Sequence, residues 1–149
     1  MPYNDLRKGR WSATGQEYLI TTVTRARVPI FADLTCARLF IRELMALQRR
    51  DFGIWFAWVL MPDHFHGLFQ LGPTADLSKA IKHLKARSAR RVQKHRGLTG
   101  NLWEPGFHDR ALRKEEHRLA VSRYIVANPL RAGLVERIGD YPHWDCVWL

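Results

Sequence analysis

The chain has 149 residues, 46% of them hydrophobic, and sets 24 lysines and arginines against 14 aspartates and glutamates for a formal charge of +10. That length and apolar content suit one domain, 1–149, with its own core, and no linker, repeat or low-complexity stretch divides it. The basic excess points to a polyanionic partner, nucleic acid ahead of a membrane surface. No apolar run reaches spanning length, and the polar start, Met1 to Arg10, lacks the apolar core of a signal peptide, so a cytoplasmic protein is expected.

In chain order, a first strand is expected at about Glu17 to Thr24, rich in Tyr, Ile, Thr and Val. A helix follows from Asp33, an N-cap residue type, to Arg50, with Leu34, Ala37, Ile41, Leu44 and Gln48 on one face and Gly53 ending it. The run Ile54 to Met61 is apolar on both of its faces, Ile54/Phe56/Trp58/Leu60 and Trp55/Ala57/Val59/Met61, as in a covered central strand. Pro62 and Asp63 then make a short turn into a second strand, and the two form a hairpin. On that second strand Phe65, Gly67, Phe69 and Leu71 share one face, and His64, His66, Leu68 and Gln70 the other.

A second helix, about Asp76 to Lys94, buries Leu77, Ile81, Leu84, Ser88 and Val92. Its other positions hold Lys79, Lys82, Lys85, Arg87, Arg90, Arg91 and Lys94, with Arg96 just beyond, and no acidic residue lies between Leu77 and Trp103. A charged helix face is ordinarily a solvated one, but like charges spaced i, i+4 destabilise a free helix unless something anionic neutralises them. These side chains are therefore read as phosphate contacts, with Arg110 on a short strand from Phe107 to Leu112. A last helix, about Lys114 to Asn128, starts with Glu115 and Glu116 and closes at Asn128, where Pro129 disfavours helical geometry. Cys36 and Cys146 form no Cys-x-x-Cys pair and are read as free thiols.

Two features carry chemistry. His64 and His66 point the same way from one strand, so their imidazoles can converge on one divalent cation; the bland alternative is two half-buried polar residues. Tyr124 and Asn128, four apart on the expected last helix, share a face, and for an arbitrary Tyr-x-x-x-Asn the plain reading is a packed tyrosine and a helix-ending asparagine.

The ordered set Met61-Pro-Asp-His-Phe-His-Gly-Leu68, the basic helix, Leu102-Trp-Glu-Pro-Gly-Phe-His-Asp-Arg110 and Tyr124-Ile-x-x-Asn-Pro-Leu-Arg-Ala-Gly-Leu-Val135 resembles the single-tyrosine HUH transposases, and more narrowly the REP-associated tyrosine transposases. The resemblance runs from about Tyr18 to about Trp144, with Asp63 where relatives often carry Asn and Asn128 where the mobile insertion-sequence enzymes carry Gln. It implies an α+β, ferredoxin-like HUH fold with an antiparallel-rich sheet of four to five strands. It implies His64, His66 and Asn128 as ligands of a divalent metal and Tyr124 as a nucleophile that cuts single-stranded DNA beside a hairpin through a 5′-phosphotyrosine. Imidazole ligands favour Mn²⁺ by affinity and cytosolic abundance favours Mg²⁺. Relatives act as monomers or as homodimers that exchange the tyrosine helix. The rival from another class is a non-cleaving DNA- or RNA-binding module on the same sheet, stacking bases on Trp55, Trp58, Phe69 and Trp103. A histidine-triad hydrolase would need a third alternating histidine, and position 68 is leucine.

Overall fold

The computed structural model describes residues 13–113 and 117–149; Glu115 and Glu116, expected at the start of the last helix, lie outside them. The first six elements are β1 (Glu17–Val23), α1 (Leu34–Arg49), β2 (Gly53–Met61), β3 (His64–Leu71), α2 (Leu77–Arg96) and β4 (His108–Ala111). The strands align as β4-β1-β3-β2, every neighbour antiparallel, which is the split-βαβ, ferredoxin-like arrangement expected. A fifth strand, β5 (Trp144–Cys146), extends the sheet beyond β2. After β4 come α3 (Arg118–Val126) and a single turn, α4 (Asn128–Arg131).

The two faces of the sheet carry different cores. On one, α1 and α2 cover Tyr18, Ile20, Trp55, Trp58, Leu60, Phe65 and Phe69. On the other, Ile125 of α3 and Tyr141 pack with Val59, Met61 and Leu68. Strand alternation assigns His64 and His66, in phase with Leu68, to this second face.

Asp33 caps α1, its carboxylate accepting the Cys36 N–H at 3.1 Å. The buried stripe of α1 is Ala37, Phe40, Leu44 and Leu47, turned from the expected one, and Leu34 is left half exposed. The reason is aromatic: Phe40 lies 5.1 Å from Phe65 and 5.7 Å from Trp103, ring centre to ring centre, and burying that ring outweighs burying smaller aliphatics. Gln48 leaves the core stripe to accept the Trp55 N–H at 2.7 Å.

Gly53 does not stop α1 as expected. The helix ends at Arg49, Asp51 reverses the chain at φ 59°, and Gly53 opens β2, where a Cβ would come within 2.2 Å of the Phe69 ring. Within β2 the register shifts between Trp55 and Ala57. The extra residue, Phe56, breaks the expected alternation, so Trp55, Trp58 and Leu60 face the helices while Phe56, Ala57, Val59 and Met61 face the other side. Helix α2 buries the five residues expected, and Ser88 on that face accepts the Trp103 indole N–H at 3.1 Å. Both cysteines are free and buried. No described helix is long and apolar enough to cross a membrane.

Candidate active site

The β2–β3 hairpin turns on Pro62 and Asp63 alone, with Met61 opposite His64. The turn is held from outside: Phe31 N–H donates to the Pro62 carbonyl at 3.0 Å, and the Thr24 N–H and hydroxyl donate to the Asp63 carbonyl at 2.9 and 3.0 Å. Phe65 is fully buried against α1, fixing the strand so that His64 and His66 stand on the opposite face. Gly67 completes the motif, because a Cβ there would come within 2.8 Å of the Trp55 ring packed over it.

Hydrogen bonding sets the state of both imidazoles. His66 Nδ1 lies 2.9 Å from the Ile20 carbonyl and 2.8 Å from the Thr21 hydroxyl. A carbonyl only accepts, so Nδ1 is the protonated nitrogen and Nε2 of the neutral ring keeps its lone pair. Burial pushes His66 toward that neutral form, and the nearby Arg131 guanidinium adds to it against the opposing Ile20 carbonyl. His64 Nδ1 faces the Asp63 carboxylate at 2.8 Å, which likewise directs its Nε2 lone pair outward. Burial raises the Asp63 carboxyl, but the His64 ring and the Arg27 guanidinium, 3.4 Å away, outweigh it and hold the group below the ordinary carboxylate range.

Tyr124 and Asn128 do not share one helix as expected. Helix α3 ends at Val126, Ala127 takes φ −79° and ψ −1°, and Asn128 starts α4 with Pro129 in its first turn. Proline lacks an N–H and carries a preset φ, so it fits a first helical turn; it opens a new turn here instead of closing the old one. The break brings the Asn128 amide nitrogen to 3.4 Å from His64 Nε2. Tyr124 is 62% exposed and, with His66, Thr21, His108 and Arg110, lines a cleft of roughly 540 Å³ between α3 and the β1–β4 edge.

This donor set fits a divalent cation. Two imidazoles, each with an acceptor on Nδ1, leave their Nε2 atoms for a cation, and an amide that would turn its oxygen toward it stands beside one of them. A second grouping, Asp33, Cys36 and His95, lies at the start of α1. There the aspartate caps the helix and faces Arg96 at 3.4 Å, so a cation's place is already taken by a guanidinium.

Among the phosphate contacts expected from sequence, only Arg110 is on the histidine face: it pairs with Leu19, and His108 pairs with Thr21, which itself pairs with His66. The rest are carried by α2, on the opposite side of the sheet, or lie at its end. Several have partners within the protein. Arg87 and Arg91 both bind the buried Glu43 carboxylate of α1, Arg87 at 3.1 Å. Lys85 donates to the Glu104 carbonyl at 2.8 Å and to that of Gly106, and Arg96 faces Asp33. Lys79, Lys82, Arg90 and Lys94 are exposed. The aromatic platform of the binding-module reading is absent, since Trp55, Trp58, Phe69 and Trp103 are all buried on the helix side.

Sequence reasoning missed the contacts behind His66 and the side chain beside Tyr124. Thr21 and the Ile20 carbonyl become visible only through the β1–β3 register. Arg131, whose guanidinium carbon lies 3.7 Å from the Tyr124 ring centre, had one available signal, its i, i+3 spacing from Asn128.

A ferredoxin-like sheet bearing paired strand histidines, with a tyrosine helix packed on the same face, is the HUH fold. The family model for IS200-like transposases matches residues 12–128, and the chain belongs to that family. It is 29% identical over 87 residues to the REP-associated tyrosine transposase of Escherichia coli (strain K12), an alignment covering 58% of this chain and 50% of that protein. A Haemophilus influenzae protein provisionally given the same name is 30% identical over 95 residues, covering 56% and 53%. The chain thus spans about half the length of these curated relatives. Among solved structures, a REP-associated tyrosine transposase bound to a REP hairpin superposes with a TM-score of 0.74 at 24% identity, over 91% of this chain and 79% of that one. A Deinococcus radiodurans protein provisionally assigned as a transposase gives 0.56 at 27% identity, over 79% and 94%.

Proposed function

We propose that this chain is a metal-dependent, single-strand-specific DNA strand transferase that cuts beside hairpin DNA, with Tyr124 as nucleophile and His64, His66 and Asn128 as the metal ligands. The observation that carries the reading is that Tyr124, the one described tyrosine with an exposed ring, lines the same cleft as His66. The other candidates have their hydroxyls engaged. Tyr141 is buried, donates to the Leu60 carbonyl at 2.6 Å and has its pKa pushed up to about 12 by burial, while Tyr18 accepts the Ala13 N–H at 3.0 Å.

The Tyr124 oxygen attacks phosphorus, the bond to the 3′ oxygen breaks, and the phenolic proton leaves through solvent to that departing oxygen. The 5′ end stays on the protein as a tyrosyl phosphodiester, whose transfer potential a second 3′-hydroxyl can use to rejoin strands. A bound Mg²⁺ or Mn²⁺ would supply Lewis-acid polarisation of the phosphate oxygens. Ile20 and Asp63 would hold the rings of His66 and His64 in place through the step. Within the chain Asn128 reaches His64 and Tyr124 lines the cleft of His66, and the reading is of a tyrosine that acts in cis. The exposed cations of α2, Lys79, Lys82, Arg90 and Lys94, are assigned to the hairpin backbone, and Arg110 on the edge strand β4 to the strand passing toward the cleft. The cytoplasm, where such DNA is accessible, is the proposed location.

The test is covalent capture. With Mg²⁺ or Mn²⁺ and hairpin oligonucleotides bearing single-stranded flanks, the protein should give an adduct that survives denaturing electrophoresis, and Tyr124→Phe should give none while binding the hairpin unchanged. An adduct from Tyr124→Phe would move the nucleophile elsewhere. Hairpin binding by the wild type with no adduct under either metal would leave a non-cleaving DNA- or RNA-binding module.

A further inference from the structure

Arg131 ends the turn that begins at Asn128, and its guanidinium carbon lies 3.7 Å from the centre of the Tyr124 ring. Both side chains are exposed, so no core requirement forces the contact. Other basic side chains have carboxylate partners: Arg27 pairs with Asp63, Arg118 with Glu17 at 2.7 Å and Arg137 with Asp140. Among the described residues no carboxylate pairs with Arg131. A guanidinium whose carbon packs this closely on the ring makes that contact through its π face and charge, and its N–H donors are not consumed by any described carboxylate, so they can serve an anion bonded to the same tyrosine.

We infer that Arg131 is a catalytic residue for the transfer proposed above, an inference that rests on that reading of the site. It holds the exposed Tyr124 ring at the cleft and donates N–H groups to the non-bridging oxygens of the phosphate under attack. A phosphodiester enters with one negative charge, and attack by the phenolic oxygen gathers a second on the five-coordinate phosphorus. A fixed guanidinium placed where that charge develops stabilises the transition state more than the ground state. Its charge is independent of pH in the working range, and its planar fork matches two phosphate oxygens at once. In the product the same N–H groups contact the tyrosyl phosphodiester, so the reverse, strand-joining step uses them equally. The Tyr124 oxygen to phosphorus bond forms as the phosphorus to 3′-oxygen bond breaks, and Arg131 keeps all of its protons throughout.

The experiment compares wild type, Tyr124→Phe, Arg131→Ala, Arg131→Lys and Arg131→Met in single-turnover adduct formation on a hairpin oligonucleotide with Mn²⁺, alongside hairpin affinity and thermal unfolding. Removal of the guanidinium should slow adduct formation by about 10²- to 10³-fold, as loss of one charge-stabilising donor does elsewhere. Affinity should fall by far less than the rate, as for one phosphate contact, and the unfolding temperature should stay at the wild-type value. Added guanidinium ion should restore part of the Arg131→Ala rate and none of the Arg131→Met rate, because methionine fills the vacated space. Lysine should recover only part, lacking the planar fork. Wild-type rates in Arg131→Ala or Arg131→Met overturn the assignment, as does a slow Arg131→Ala that guanidinium does not relieve or whose defect matches a defect in hairpin binding or folding. If wild type itself gives no adduct, the strand-transfer reading has failed first.

Discussion

Glu43→Gln offers a quantitative test of how the basic helix is held. The Glu43 side chain is 5% exposed and accepts from Arg87 and Arg91, whose own side chains are 35% and 47% exposed. Each charge-assisted bond has an upper value of about 1.5–3 kcal/mol. Glutamine keeps the shape and one acceptor but sets an N–H₂ against a guanidinium. The arginines are open enough to regain water, which lowers the cost toward the range of exposed pairs, about 0–1 kcal/mol each. A net loss of about 1–2 kcal/mol follows, or about 3–6 °C in Tm for a chain of this size. Burial raises the Glu43 carboxyl, yet the two arginines outweigh it and its pKa in the fold is lowered. A lowered folded value means the contribution is complete above the unfolded value, about 4.3, and disappears as pH falls through the folded one. Thermal unfolding followed by circular dichroism should therefore separate wild type from Glu43→Gln at neutral pH and bring them together in acid. Equal Tm values at pH 7 would refute the reasoning, and so would a separation that persists or grows as the pH is lowered.

Neutralising Lys82, Arg90 and Lys94 together should weaken hairpin binding and make the slope of log affinity against log salt shallower by about 0.7–0.9 for each phosphate no longer neutralised, whereas Arg87→Ala should leave the slope unchanged and lower Tm instead. A titration series over salt distinguishes them, and a slope altered by Arg87→Ala would return that residue to the DNA. His64→Ala and His66→Ala should each abolish adduct formation with affinity for the hairpin little changed, since the ligands act on the reacting phosphate and the cations supply binding; gel capture and a binding isotherm on the same samples check both halves, and either mutant cutting at the wild-type rate contradicts the ligand set.

The ferredoxin-like order, the hairpin and the histidine face were legible because each rests on local rules. Strand alternation set His64 and His66 opposite Phe65, and the apolar spacing of α2 named its buried stripe. Most misreadings arose where a non-local contact won. Phe40 turned α1 to reach Phe65 and Trp103, Phe56 bulged out of register, and Gly53 served the Phe69 ring instead of a helix end. The charges of α2 read as uncompensated in sequence because Glu43 lies some forty residues earlier, on another helix. The Tyr124–Asn128 spacing implied one shared helix face, whereas the structure brings Asn128 to His64 and Tyr124 to the cleft of His66 from two separate helical segments.

That last error shows how the site is assembled. On one unbroken helix, Tyr124 and Asn128 would stack along a single face and reach the same point. With the helix broken at Ala127, Asn128 reaches His64, Tyr124 shares its cleft with His66, and Arg131 returns over the tyrosine ring. Holding these groups falls to few contacts. Helix α3 buries only Ser122, Ile125 and Val126, and the core on that face is small beside the aromatic one under α1 and α2. The sheet thus divides its labour by face: the helix side, with its interlocked rings, fixes β3 and so the two histidines, while the tyrosine arm on the other side rests on a smaller core around Ile125 and Tyr141. An arm on a smaller core suits the proposed role of Tyr124, which would carry a DNA end and later release it, because local opening of such an element costs less free energy than unfolding the sheet that bears the histidines.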